Sequence, residues 1–173
     1  MIDQISIIIL AVAMFGFTLT AMHSDLKSRR LPNWLTVSTF LTGLLFHLVV
    51  GIIRDGSGGA VASLGFSMAG FAVGFGILFV LWLIGGAGGG DVKFAGAVGA
   101  WLGPSLMLIA FIASAGFALV ISLGVILWRN RSSADGQQTD RPGKLVAGRA
   151  IPYAVPLTLA TWCLVAIKLA AAV

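Results

Sequence analysis

The chain has 173 residues, of which 58% are hydrophobic and only 10% charged, and its net charge is +5. A water-soluble domain carries about 25% charged residues, so the composition excludes a protein whose whole surface faces water. A single cysteine, Cys163, excludes an internal disulfide framework and a Cys-x-x-Cys metal site, and in its apolar run it reads as a small buried hydrophobe.

A helix needs about 20 apolar residues to cross the hydrocarbon layer. On that rule the sequence divides into apolar runs at roughly 4–22, 34–53, 60–84, 92–103, 104–128 and 152–172. The predicted fold is all-α: a polytopic integral membrane protein of about six transmembrane helices, the fourth of them short. A single membrane-embedded domain is expected over 1–173, with a cytosolic basic loop at 129–150.

The first run lacks a basic flank and a small-residue cleavage site, so it reads as a retained helix rather than a removed signal. It ends in "MHSDLKSRRLPNW", where Asp25 closes the helix and Pro32 and Asn33 begin the next one. His23, two positions before Asp25, points to a different side of the same helix. His47 stands 13 residues beyond Trp34, about 20 Å along the second helix, and is out of reach of Asp25.

The third run ends in "GGAGGGDVKFAG", residues 85–96, a glycine ribbon with Asp91 at its tip and Lys93 just beyond. Gly70 with Gly74 and Gly99 with Gly103 have the small-xxx-small spacing of close helix packing. After the fifth run comes "RNRSSADGQQTDRPGKLVAGRA", a polar, flexible, headgroup-facing connection that holds Asp135 and Asp140, and Pro152 then starts the last helix.

With six spans, Lys27, Arg29, Arg30, Lys93 and the five basic residues of the 129–150 loop all fall on one side of the membrane. Only Arg54 and Lys168 fall toward the other. The positive-inside rule then places both termini outside and those connections in the cytoplasm. This distribution accounts for the basic character without a nucleic-acid partner.

The six acids are all aspartates, and only Asp25 and Asp91 adjoin helices at one common depth. Two carboxyls held close titrate apart, one anionic and able to take a proton from water, the other protonated and able to give one to a carbonyl. That division hydrolyses amides with no cofactor and no metal. The ribbon suits it: Gly88 and Gly90 let a peptide backbone approach, and an unwound segment at membrane depth implies a wet cleft. Lys93 could bias the pair toward its anionic form or meet substrate. Competing readings are a helix cap for Asp91, a transporter or proton relay, and a scaffold or assembly subunit without catalysis. A phosphate loop is disfavoured, since Gly-Lys-Ser/Thr is absent and an aspartate repels the anion.

"GGGD" at 88–91 resembles the Gly-x-Gly-Asp signature of membrane aspartic peptidases. "DLKSRRLPN" at 25–33, "GGGDVK" and "GRAIPYA" at 148–154 resemble, in order, three segments of the type IV prepilin peptidase family. The resemblance implies an aspartic endopeptidase of the bacterial inner membrane that removes the basic leader of prepilins or pseudopilins at the cytoplasmic face. It implies Asp25 and Asp91 as the catalytic pair, with Gly88, Gly90, Lys93 and Pro152 in supporting positions. Longer members carry an N-terminal segment with paired cysteines and also methylate the product. This chain starts at its first helix and resembles the short, peptidase-only branch of Flp/Tad-type pili, so methylation is not expected.

Overall fold

The structure, a computed structural model, describes residues 2–28, 31–133 and 154–171. Helices α1 (Ile2–Ser28), α2 (Asn33–Leu83), α3 (Gly89–Leu102), α4 (Pro104–Ser133) and α5 (Ala154–Ala170) follow one another, with no strand among the described residues. Three stretches are long and apolar enough to cross a membrane: Asp3–Lys27, Asn33–Leu83 and Pro104–Gly124. The apolar helix α5 is shorter. Around a buried apolar core, the outer surface differs from that of a soluble protein. Ile8, Val12, Phe15 and Leu19 of α1 face outward, while Thr18, Thr39, Ser67, Thr158 and Thr161 are buried. In lipid the hydrophobic effect does not sort side chains, so small hydroxyl residues line the helix contacts instead.

A straight α2 of 51 residues would extend about 75 Å, more than twice the hydrocarbon thickness of about 30 Å. It is not straight. Asp55 and Gly56 leave helical geometry, Gly56 with φ 62°, a conformation that glycine adopts freely. Gly51 and Gly59, about 12 Å apart in an unbroken helix, instead lie backbone to backbone, leaving no room for a Cβ on either. The chain therefore doubles back at Asp55–Gly56, giving arms at 33–54 and 57–83.

At 14 residues, α3 is about 21 Å long, too short to span lipid alone, and the structure surrounds it with protein. Val92 and every residue from Phe94 to Leu102 are buried. Its most extensive contacts are with α2. The two small-residue motifs turn out to be each other's partners: a Cβ at Gly70 would strike the Gly99 carbonyl oxygen, and one at Gly99 the Gly70 carbonyl. Gly74 meets the Ala95 backbone in the same way. On the other side Trp101 lies over Gly43, stacks on Phe46 at 5.1 Å and donates its indole N–H to the Thr39 carbonyl at 2.7 Å. Ser67 Oγ donates to the Ala100 carbonyl at 2.7 Å. α3 is thereby fixed in register between the arms of α2.

α5 is bound to α1. Trp162 stacks on Phe15 at 4.7 Å and donates its indole N–H to Thr18 Oγ1 at 2.9 Å. Cys163 corrects the sequence reading, being exposed rather than buried: Thr158 and Trp162 make the contact of α5 with α1.

Candidate active site

Asp25 lies in the last turn of α1, only 7% exposed. That position follows from length: 27 residues extend about 40 Å, so the helix outlasts the hydrocarbon and carries its acid to the rim of the bundle. Asp91 lies in the first turn of α3, half-buried. Here the sequence expectation of an unwound ribbon needs correction. Only Ile84–Gly88 leave helical geometry, with Gly85 at φ 79°, while Gly89 and Gly90 already belong to α3. Two glycines in a first turn are poor helix formers. The Asp91 carboxylate offsets this by accepting the Gly88 N–H at 3.2 Å through Oδ2, which satisfies one of the backbone donors left open at a helix start.

Gly88 has φ −83° and ψ 147°, which any residue adopts, so its backbone does not require glycine. Its neighbour does: a Cβ there would lie 2.9 Å from Asp91 Oδ2. A Cβ on Gly90 would meet only Leu31, at an ordinary 3.6 Å. Lys93 Nζ donates to Asn33 Oδ1 at 3.2 Å, tying α3 to the start of α2. Sequence reasoning placed Asn33 only as a helix start. The bond joins residues 60 positions apart, and the adjacent Pro32–Asn33 corner was the only signal for it. Pro152, Arg29 and Arg30 lie outside the described residues.

The electrostatics join the two acids. Burial pushes the Asp91 carboxyl above the ordinary aspartate range, the Gly88 N–H pulls it down, and the charge of Asp25 adds to the rise. Lys93 is not among the groups that set this balance. A carboxyl whose pKa is higher in the folded than in the unfolded chain takes up protons on folding, so stability is greatest at acid pH and falls as pH rises from the ordinary value through the raised one. Melting curves of the detergent-solubilised chain across that window are expected to show this fall, and Asp91→Asn is expected to flatten it. His47, by contrast, sits at the far end of the bundle against the Trp101 carbonyl, 3.1 Å away.

Residues 12–123, more than half of the chain, match the type IV leader peptidase family. The chain belongs to that family. It is 35% identical to a prepilin leader peptidase/N-methyltransferase of Escherichia coli over 118 residues, 63% of this chain and 49% of the relative. Its similarity to the protein of the same name from Aeromonas salmonicida is 30% over 157 residues, 88% of this chain and 47% of the relative. A Burkholderia pseudomallei protein of that name is 36% identical over 135 residues, 70% of this chain and 39% of the relative. The chain thus spans about half the length, or less, of these curated relatives. No solved structure matches it. As a member of the leader peptidase family, the chain has Asp25 and Asp91 within the matched region.

Proposed function

We propose that this chain is an aspartic endopeptidase that removes the leader of type IV, Flp-like prepilins at the cytoplasmic face of the inner membrane, with Asp25 and Asp91 as its catalytic pair. The supporting observation is that a buried carboxyl at the end of α1 lies near enough to one in the first turn of α3 for Asp25 to add to the rise that burial gives the Asp91 carboxyl. In this reading Asp25 is the anionic member and takes a proton from water. The water oxygen adds to the scissile carbonyl while Asp91 gives its proton to the carbonyl oxygen. Collapse of the tetrahedral intermediate breaks the C–N bond: the leaving amine takes the proton now held by Asp25, and the hydroxyl that Asp91 protonated returns its proton to Asp91 as the carbonyl reforms.

The whole chain acts as one membrane-embedded unit. The break at Asp55–Gly56 divides α2 into two crossings, which with α1, α3, α4 and α5 makes six. Lys27 and Lys93 stand at the Asp25–Asp91 end, so the positive-inside rule turns that end to the cytoplasm and both termini outward.

The test is direct. The purified full chain, incubated with a synthetic Flp-type precursor, is expected to release one leader fragment ending in glycine, identified by mass, and to do so in the presence of a metal chelator. Absence of cleavage with every Flp-type precursor tried would remove the proposal. Gly88 offers a finer check. Gly88→Ala is expected to lower cleavage about tenfold while lowering the melting temperature by no more than a lost cap would, about 1 kcal/mol, because the new methyl group displaces the Asp91 carboxylate from its place.

A further inference from the structure

At the end of the bundle opposite Asp25 and Asp91, polar groups gather that the proposed reaction does not use. The start of α1, the two arms of α2 beside their break and the end of α5 enclose a cavity of about 430 Å³. Its polar lining includes Asp3, Ser63, His47, Arg54 and Lys168. Arg54 pairs with Asp3. His47 commits one ring nitrogen to the Trp101 carbonyl, and since a carbonyl only accepts, that nitrogen carries the hydrogen. Lys168 has no carboxylate partner among the described residues. Asp3, Arg54 and Lys168 are exposed at the rim of this cavity, where two cations against one carboxylate leave an excess positive charge that a membrane-surface anion can meet.

A second feature adjoins it. An apolar groove of about 450 Å³ runs between α1 and the first arm of α2 and shares Ser6, Phe46 and Val50 with the cavity. Its α2 wall carries Thr42, Leu45, Val49 and Ile53 at helical spacing, faced by Ile5 and Ile9 of α1. From Ile53, next to Arg54, to Thr42 is about 16 Å along the helix, close to half the hydrocarbon thickness of about 30 Å, which is one leaflet. Trp101, held over Gly43, lies at the inner end.

We propose that cavity and groove together form a binding site for an anionic membrane phospholipid. Its phosphodiester lies between Arg54 and Lys168, and one acyl chain lies along the groove. Free phosphate fills only the charged half and leaves the groove unused. A zwitterionic lipid brings its own cation into a site that already has one in excess. Since the site joins the start of α1, both arms of α2 and the end of α5, the bound lipid braces the bundle at the hinge of α2. Its occupancy stabilises the fold by an amount that grows with the logarithm of its affinity.

The experiment uses the delipidated full chain in detergent and native mass spectrometry, with phosphatidylglycerol, phosphatidylcholine of the same acyl chains, and inorganic phosphate as probes. One molecule of phosphatidylglycerol is expected to be retained at least about tenfold more tightly than phosphatidylcholine, and inorganic phosphate not at all. Lys168→Gln is expected to reduce phosphatidylglycerol retention about tenfold and leave phosphatidylcholine unchanged. Ile9→Trp, which fills the groove from its exposed side, is expected to abolish retention of the lipid without lowering the melting temperature of the lipid-free chain. Equal retention of the two lipids would overturn the proposal, as would wild-type retention in the two variants. Inorganic phosphate retained as tightly as phosphatidylglycerol would overturn the assignment to a lipid.

Discussion

Asparagine in place of either Asp25 or Asp91 is expected to lower leader cleavage by roughly 10³-fold or more, the scale at which positioned acid–base groups act. Asp3→Asn and Asp55→Asn, at the other end of the bundle, are expected to stay within about twofold of the parent chain. The Asp91 substitution separates two roles that share one side chain. Asparagine keeps a side-chain oxygen for the Gly88 N–H, so a carboxylate that serves only to start α3 is replaced without loss of activity. A carboxyl that must hold and release a proton is not. Asp91→Ala removes both functions and is expected to lower the melting temperature as well, by the cost of a lost cap, about 1 kcal/mol. Cleavage of a synthetic precursor, followed in parallel with thermal unfolding, distinguishes these outcomes. Near-normal turnover in Asp25→Asn or Asp91→Asn would exclude the paired-carboxyl reaction.

The largest loss of stability is expected at the crossing of α3 with the second arm of α2. Gly99→Leu places a branched side chain where even a Cβ collides with the Gly70 carbonyl oxygen. A backbone atom has no rotamer by which to withdraw, so the helices must separate. Overpacking costs typically 1–3 kcal/mol and occasionally more. This contact lies at the upper end, and about 3 kcal/mol corresponds to a fall of roughly 6–12 °C in melting temperature for a chain of this size. Gly70→Leu is expected to do the same from the opposite side. Gly65→Leu, where an added Cβ meets nothing within 4 Å, is the control and is expected to change little. Since α3 carries Asp91, the two damaging variants are also expected to lose cleavage in proportion to the folded fraction lost.

Much of this was legible in the sequence, for identifiable reasons. A membrane-spanning chain must present unbroken apolar runs, so α1 and α4 stand out, and the polar pair Arg54–Asp55 followed by glycine marks the reversal inside α2. Asp25 and Asp91 were conspicuous because acids are rare in such a chain. The ribbon was read as unwound up to Asp91 because glycine disfavours helix. It is helical from Gly89 because the Asp91 carboxylate closes the first turn and ten of the next eleven residues are held by packing, neither of which local composition records. The Gly70 and Gly99 motifs were each visible, but not their mutual contact. Likewise the Lys93–Asn33 bond and the gathering of Arg54, His47 and Lys168 join residues far apart in the chain. Cys163 was misjudged because in lipid an apolar neighbourhood in sequence does not mean an interior position.

The Gly88 amide makes the two oxygens of the Asp91 side chain inequivalent. Its hydrogen points at Oδ2, and a second hydrogen on that atom would face it head-on. When Asp91 is neutral, its acidic hydrogen therefore resides on Oδ1. The backbone of the turn leading into α3, rather than solvent, fixes which oxygen of a neutral Asp91 carries its hydrogen.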